Sequence, residues 1–272
     1  MSRPAIPEDI KRRVRQHCGY GCIICGKMPT EYEHVTPYAK CQAHDFENIV
    51  LLCPWHHTEV TAGRLYKREV ETWRANPYLR QQQNSGFYEP LLSPMFKVVF
   101  GNCGVAIPVD RKFNLFNING YVPFSFLLGS KPKFNLDIFG RDGKLALSII
   151  ENVIEFRAHF FWDITLTGTK FKVVGPNRKV FLDISITDGI VNFKTFRSVI
   201  SNVPVIINKN GIHLPNTKNS TSQMGFAIES EELDNLFVTG EPGWVRSQKS
   251  LMSFDWLPSP SYAEAWNALF NV

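Results

Sequence analysis

Two short metal-ligand motifs near the N-terminus constrain the fold of this chain more than any other feature. Cys22 and Cys25 form a Cys-x-x-Cys pair, and Cys53 and His56 repeat that spacing farther along. Two such pairs separated by a compact loop supply the four ligands of a closed tetrahedral Cys₃His zinc site. A redox Cys-x-x-Cys would instead lie in a βαβ pattern, which this sequence lacks. The sequence therefore predicts a structural Zn²⁺ that joins the two segments.

Composition and charge are those of an ordinary globular protein. The chain has 272 residues, of which 44% are hydrophobic and 20% charged. This length suits one large domain or two modest ones. Neither a signal-peptide pattern nor an apolar run of roughly 20 residues is visible in the sequence. We therefore expect a cytoplasmic protein with no membrane partner.

The net charge of +5 is compatible with a polyanionic partner without requiring one. Positive charge is concentrated in the basic cluster KRRVR, residues 11–15. Such a cluster is either a solvated helix face or an edge that contacts phosphates.

The hydrophobic pattern divides the chain into two regions. Residues 1–80 hold five of the six cysteines and two amphipathic helical segments, and residues 81–90 are polar and typical of a linker. Residues 91–272 contain short β-branched and aromatic runs separated by Gly, Asn and Asp turns. This pattern predicts an antiparallel all-β domain, either a sandwich or barrel-like. The predicted fold class is α+β, with an N-terminal metal-binding domain, a linker and a β-rich domain.

Several local signals in residues 91–272 make more specific predictions. The sequences GRDG at 140–143 and NKNG at 208–211 predict hairpin turns, because glycine supplies the positive φ that such turns need. Residues 136–147 and 182–193 resemble each other and predict two similar hairpins in one sheet system. Residues 262–270 predict a short helix.

A second pattern is interleaved with the zinc motifs. Glu33 and His34 precede Val-x-Pro, Asn48 follows in the middle, and His57 stands next to the zinc ligand His56. This order resembles the HNH endonuclease family in its ββα-metal form braced by zinc knuckles. The resemblance covers roughly residues 10–75. It implies that residues 1–80 are an HNH nuclease domain.

The resemblance also implies a role for each of these residues. His34 is the implied general base that deprotonates the attacking water, a task suited to an imidazole. Asn48 is implied to brace the loop that carries this base. Glu33 and His57 are the implied ligands of a catalytic divalent cation, which can be Mg²⁺, Mn²⁺ or another transition metal.

Helix geometry explains why His56 and His57 can be adjacent and still serve different ions. Neighbouring residues of a helix point about 100° apart. His56 can therefore face the zinc while His57 faces the catalytic cleft. Pro54 fits the first turn of this helix, and Gly63 fits its C-terminal end.

The sequence departs from the family pattern before the middle asparagine. Ala43, His44 and Asp45 stand where glycines are often found, and Thr61 stands where some members carry a further ligand. We interpret His44 as a loop-surface histidine, with an auxiliary phosphate contact as the alternative. The predicted metal ligands and base are all retained.

The function implied by the resemblance is metal-dependent hydrolysis of phosphodiester bonds in double-stranded DNA, in restriction or anti-phage defence. The β-rich domain would then recognise the target or regulate cleavage. Two alternatives remain open. One is a catalytically silent, zinc-braced DNA-binding protein. The other is a latent nuclease gated by a small molecule or protein that binds the β-rich domain, with homo-oligomerisation compatible with each.

Overall fold

The computed structural model describes residues 4–82, 84–86, 95–100, 103–108, 112–127, 133–188, 190–215, 221–224, 227–229, 250–254 and 261–270. The α-helices in these ranges are α1 (Glu8–Cys18), α2 (Tyr38–Cys41), α3 (Pro54–Thr61), α4 (Lys67–Ala75), α5 (Tyr78–Gln82) and α6 (Tyr262–Ala268). The strands are β1 (Glu31–His34), β2 (Ile49–Leu52), β3 (Asn84–Gly86), β4 (Met95–Phe100), β5 (Cys103–Pro108), β6 (Lys112–Ile118), β7 (Tyr121–Leu127), β8 (Lys133–Phe139), β9 (Leu145–Ile150), β10 (Val153–Phe156), β11 (Asp163–Thr167), β12 (Lys170–Val174), β13 (Val180–Thr187), β14 (Ile190–Ile200), β15 (Val203–Asn208), β16 (Gly211–Pro215), β17 (Thr221–Met224), β18 (Ala227–Glu229) and β19 (Ser250–Phe254).

The architecture is mixed α and β, with mostly antiparallel sheets. None of the described helices is both long and apolar enough to cross a membrane.

The N-terminal unit, residues 4–82, is built on the antiparallel pair β1–β2. Glu31 pairs with Leu52 and His34 with Ile49. Every residue of β2 is buried, as expected for a run of four apolar residues between other elements. Helix α1 packs against β2, and α3 contacts both strands. The pair of strands therefore carries α3 on one side and fixes its position.

Two larger sheets make up the β region, residues 95–270 together with β3. The first has the strand order β19-β6-β7-β8-β9-β10-β3. The second has the order β11-β12-β13-β14-β15-β16-β17, with β4, β5 and β18 attached to it. Phe124 of β7 contacts Phe193 and Phe196 of β14, with ring centroids 5.2 and 4.4 Å apart. The sheets therefore share one aromatic-rich core.

The β region follows the sequence prediction in its hairpins and departs from it in its topology. The predicted turns at 140–143 and 208–211 join β8 to β9 and β15 to β16, and α6 forms within 262–270. The two similar hairpins, β8–β9 and β13–β14, lie in different sheets. Among the strands that the structure describes, three pairs are parallel, namely β4–β14, β5–β18 and β6–β19. Neither sheet closes into a barrel across the residues that the structure describes.

The predicted linker contains regular structure at its start. Helix α5 ends at Gln82, and β3 pairs with β10 at the edge of the first sheet. Leu79 of α5 belongs to the core of the β region, together with Tyr20 and Met28. The two units therefore share apolar core where the chain passes from one to the other.

Polar contacts from α1 complete this junction. The Arg15 guanidinium donates two hydrogen bonds to the Asp163 carboxylate, at 2.8 and 2.6 Å. It donates a third to the Tyr32 hydroxyl of β1, at 2.5 Å. Both charged side chains are about six-sevenths buried, with exposures of 13% and 14%. Tyr20 adds a bond from its hydroxyl to the Phe161 carbonyl at 3.0 Å.

The basic cluster was predicted to be either a solvated helix face or an edge that contacts phosphates. Its side chains instead contact other residues of the protein. The Arg12 guanidinium lies 4.9 Å from the ring centroid of Trp162, and that of Arg13 lies 4.4 Å from Phe46. Lys11 pairs with Glu8 at 2.8 Å. The Lys11 pair lies within α1, whereas Arg12, Arg13 and Arg15 hold α1 against its neighbours.

Candidate functional site

The four predicted zinc ligands come together at one point. The ligand atoms of Cys22, Cys25, Cys53 and His56 all lie within 4.8 Å of one another. The Cys25 and Cys53 sulfurs are 3.8 Å apart, and His56 Nδ1 lies 3.4 and 3.3 Å from the Cys22 and Cys53 sulfurs. Zn–S bonds of about 2.3 Å in a tetrahedron place sulfurs about 3.8 Å apart. The group therefore fits a metal ion such as zinc, bound through His56 Nδ1.

Tight turns shape the first half of this group. The Gly26 amide donates to the Cys22 carbonyl at 2.8 Å, which brings the two cysteines of the pair together. A Cβ on Gly21 would lie 2.5 Å from the Gly26 carbonyl oxygen and from Leu79 Cδ1. Only glycine fits at that position. The same glycine thus permits both the metal-binding turn and the packing of α5.

The second half is carried by α3. Cys53 is the N-cap of this helix and Pro54 occupies its first turn. The proline costs no hydrogen bond there, because the first amides of a helix have no partner within it. Gly63 follows the helix with φ of +71°, as predicted for its end. The metal group thereby anchors the start of α3, next to His57.

The thiols of the metal group are electrostatically coupled. The hydrogen bond with Cys22 is the main reason that the pKa of the Cys25 thiol falls to about 5. The same contact, followed by burial, raises the pKa of Cys22. A thiolate is the form that binds zinc, so the lowered pKa of Cys25 favours metal binding at this position.

Glu33 and His57, the predicted ligands of the catalytic cation, are in contact. The Glu33 Oε2 atom lies 3.1 Å from His57 Nε2. Two ligand atoms about 2.1 Å from one octahedral cation lie about 3.0 Å apart. The pair therefore fits neighbouring positions around a divalent cation, leaving the other positions for water or phosphate.

Two further residues contact this pair. Neither was predicted from the sequence to belong to the cation site. Glu31 Oε2 lies 2.8 Å from His57 Nδ1, on the other side of the imidazole ring. Lys67 of α4 forms an ion pair with the second carboxylate oxygen of Glu33. The Lys67 ammonium also donates to the His34 carbonyl at 2.7 Å.

Glu31 completes a carboxylate–histidine arrangement of the kind found behind metal ligands. The two nitrogens of one imidazole point in different directions, so Glu31 cannot share an ion bound at Nε2. Its carboxylate instead accepts a hydrogen bond from Nδ1–H and orients the ring. The strand pattern signals this residue, because positions 31 and 33 lie on the same face of β1.

His34, the predicted general base, ends β1 and is 4% exposed. Successive residues of a strand point to opposite faces, so His34 and Glu33 leave β1 on opposite sides. The His34 ring contacts the rings of Tyr38 and His44, with centroids 5.8 and 5.3 Å away. His44 is thus in contact with the predicted base.

Asn48 holds the loop that follows His34. Its Oδ1 accepts from the Thr36 amide at 2.6 Å, and its Nδ2 donates to the Thr36 carbonyl at 2.9 Å. A third bond runs from Nδ2 to the Cys41 sulfur at 3.4 Å. One side chain therefore fixes the backbone two residues after His34, as a bracing asparagine would.

Comparison of the chain with protein-family models, with curated proteins and with solved structures finds no match.

Proposed function

We propose that this protein is a metal-dependent endonuclease of the HNH type that hydrolyses DNA phosphodiester bonds. The observation that carries the proposal is the contact between Glu33 and His57. Two residues 24 positions apart place one carboxylate oxygen and one imidazole nitrogen 3.1 Å from each other. The Cys₃His group beside them fixes α3, and therefore His57, relative to β1.

The surrounding side chains have chemistry that suits this reaction. Glu33 and His57 would hold a divalent cation, which would supply charge stabilisation for the leaving 3′ oxygen. His34, the last residue of β1 and on the other side of this strand from Glu33, is the proposed acceptor for the proton of the attacking water, and the two hydrogen bonds between Asn48 and Thr36 hold the loop that follows it. Glu31 orients the imidazole of His57.

Nicking of supercoiled plasmid tests the proposal directly. Wild type, His34→Ala, Glu33→Gln and a control, His159→Ala, are incubated with Mg²⁺, Mn²⁺, Ni²⁺ or EDTA. His159 is exposed and lies in the β region. We expect cation-dependent nicking in wild type and control and its loss in the other two, with melting temperatures confirming that all four variants fold.

The alternatives predict different outcomes of the same assay. DNA binding without nicking under any cation would overturn the proposal in favour of a silent binding protein. A latent nuclease would be inactive as wild type and become active when the junction between the units is loosened, for example by Arg15→Met. The Arg15–Asp163 pair, which links α1 to the β region, supports including this variant.

A further inference from the structure

We infer that His44 is a positioning residue that fixes the tautomer and orientation of His34. This inference rests on the proposed function, in which His34 is the general base. His44 stands where the family pattern often has a glycine. From the sequence it was interpreted as a histidine on a loop surface. The structure instead has this ring in hydrogen-bonding contact with the base.

Three groups form a continuous hydrogen-bonded chain. His34 Nε2 lies 3.2 Å from His44 Nδ1. The other nitrogen of the second ring, His44 Nε2, lies 2.9 Å from the Pro4 carbonyl oxygen. The chain therefore runs from the segment before α1, through the loop before Asn48, to the last residue of β1.

The Pro4 carbonyl oxygen at one end of this chain determines which atom donates in each hydrogen bond. A carbonyl oxygen only accepts, so His44 Nε2 must carry the proton that bonds Pro4. In the neutral ring, His44 Nδ1 is then the acceptor, and His34 Nε2 must donate to it. Neutral His34 is consequently the Nε2–H tautomer, with its lone pair on Nδ1. General-base catalysis requires one defined nitrogen to carry that lone pair.

Aromatic packing restrains the His44 ring so that this bond can form. The Tyr38 ring stacks on His44 with centroids 4.8 Å apart and planes 26° apart. The same tyrosine meets the edge of His34 at an interplanar angle of 82°. Tyr38 thus touches both imidazoles and limits the rotation of each. A phosphate contact would not require this packing or the bond to Pro4.

The test compares wild type with His44→Phe, His44→Asn and the exposed control His159→Phe. Phenylalanine keeps a ring for stacking on Tyr38 but removes the acceptor, whereas asparagine restores an acceptor near the Nδ1 position. We expect His44→Phe to lower kcat for plasmid nicking about 10- to 100-fold with little change in KM, and His44→Asn to recover much of it. His159→Phe should behave as wild type.

A second readout requires no activity. Nitrogen-15 chemical shifts distinguish imidazole tautomers, and at mildly alkaline pH we expect the Nε2–H form for His34 in wild type and a tautomer mixture in His44→Phe. An unchanged kcat in His44→Phe, or a raised KM with unchanged kcat, would overturn the inference. So would an unchanged His34 tautomer. Inactive wild type with the expected shifts would instead overturn the proposed function and leave the hydrogen-bonded chain standing.

Discussion

At the scale of single residues, the two nitrogens of His57 organise the candidate cation site. Nε2 faces Glu33 and Nδ1 faces Glu31, at 3.1 and 2.8 Å. A carboxylate accepts and does not donate, so Glu31 accepts a hydrogen bond from Nδ1–H of His57. In the proposed function a cation would be held at Nε2 together with Glu33, and the contact with Glu31 would orient the ring for it.

We expect Glu31→Gln to weaken binding of a divalent cation at the candidate site about 10-fold, because a neutral amide orients and polarises His57 less well than a carboxylate. Titration with Mn²⁺ followed by electron paramagnetic resonance measures this affinity. The matched control is Glu71→Gln, on the exposed surface of α4. Equal affinities for the two variants would show that Glu31 does not support His57.

Lys67→Met should have the opposite effect. The ammonium neutralises Glu33 and repels a cation, but it is 36% exposed, so solvent screens much of its field. We expect its removal to tighten Mn²⁺ binding by about 1 kcal/mol, or roughly fivefold. Weaker binding in Lys67→Met would mean that the lysine organises the site rather than competing for it. Arg68→Met, on the same helix, is the control.

The sequence order allowed the ligands and the bracing asparagine to be proposed, but it did not indicate the second layer of contacts. Glu31 could have been found from strand alternation. Lys67 could not, because its ion pair with Glu33 depends on where α4 lies relative to β1 and on the conformation of a long side chain. His44 likewise depends on the conformation of a loop, which sequence spacing does not define.

At the scale of elements, the Cys₃His group connects the turn that carries Cys22 and Cys25 to the start of α3. The N-terminal unit has only a small core of its own around β2. Units of this size commonly add a metal or a disulfide to their apolar contacts. A metal ion bound by this group would therefore contribute to the fold of β1, β2 and α3 as well as to the position of His57.

Removal of the metal should loosen these elements selectively. After chelation, or in Cys53→Ser, we expect amide hydrogen exchange in β1, β2 and α3 to accelerate at least about 100-fold, because metal binding is coupled to folding. Strand β14, in the core of the β region, should keep its protection. Glu71→Gln, on the exposed surface of α4 and outside the metal group, is the control. Unchanged exchange in β2 would contradict a structural role.

Elements with local signals were predictable, and elements that depend on distant partners were not. The caps of α3 and the glycine-containing hairpins are encoded within a few residues. Strand β14 pairs with β13 and β15 in antiparallel fashion and with β4 in parallel. A parallel pair joins segments far apart in sequence, so no short pattern specifies it.

At the scale of the whole molecule, the junction combines shared core with one mostly buried ion pair. Tyr20, Met28 and Leu79 extend the core of the β region into the N-terminal unit. Arg15 bonds both Asp163 and Tyr32, and Tyr32 lies between Glu31 and Glu33 in β1. Hydrogen-bonded contact therefore runs from β11 to the strand that carries the candidate site.

Asp163→Asn should lower the free energy of unfolding by about 2–4 kcal/mol, because it leaves the Arg15 charge largely buried without its carboxylate. Urea denaturation measures the change. Asp188→Asn is the control, since this exposed turn residue has φ of +51°, a conformation that asparagine also tolerates. In the double variant Arg15→Met, Asp163→Leu, much of the stability should return. A loss no larger than that of the control would show that the pair contributes little.

The Arg15–Asp163 pair also bears on how such a gene can change by recombination. Exchange of the β region for an unrelated module would leave a guanidinium at the junction facing whatever residue arrived there. The apolar surface of Tyr20 and Leu79 would have to be matched at the same time. The two halves are therefore expected to be inherited together and to diverge in step, with few crossovers at the boundary between the units.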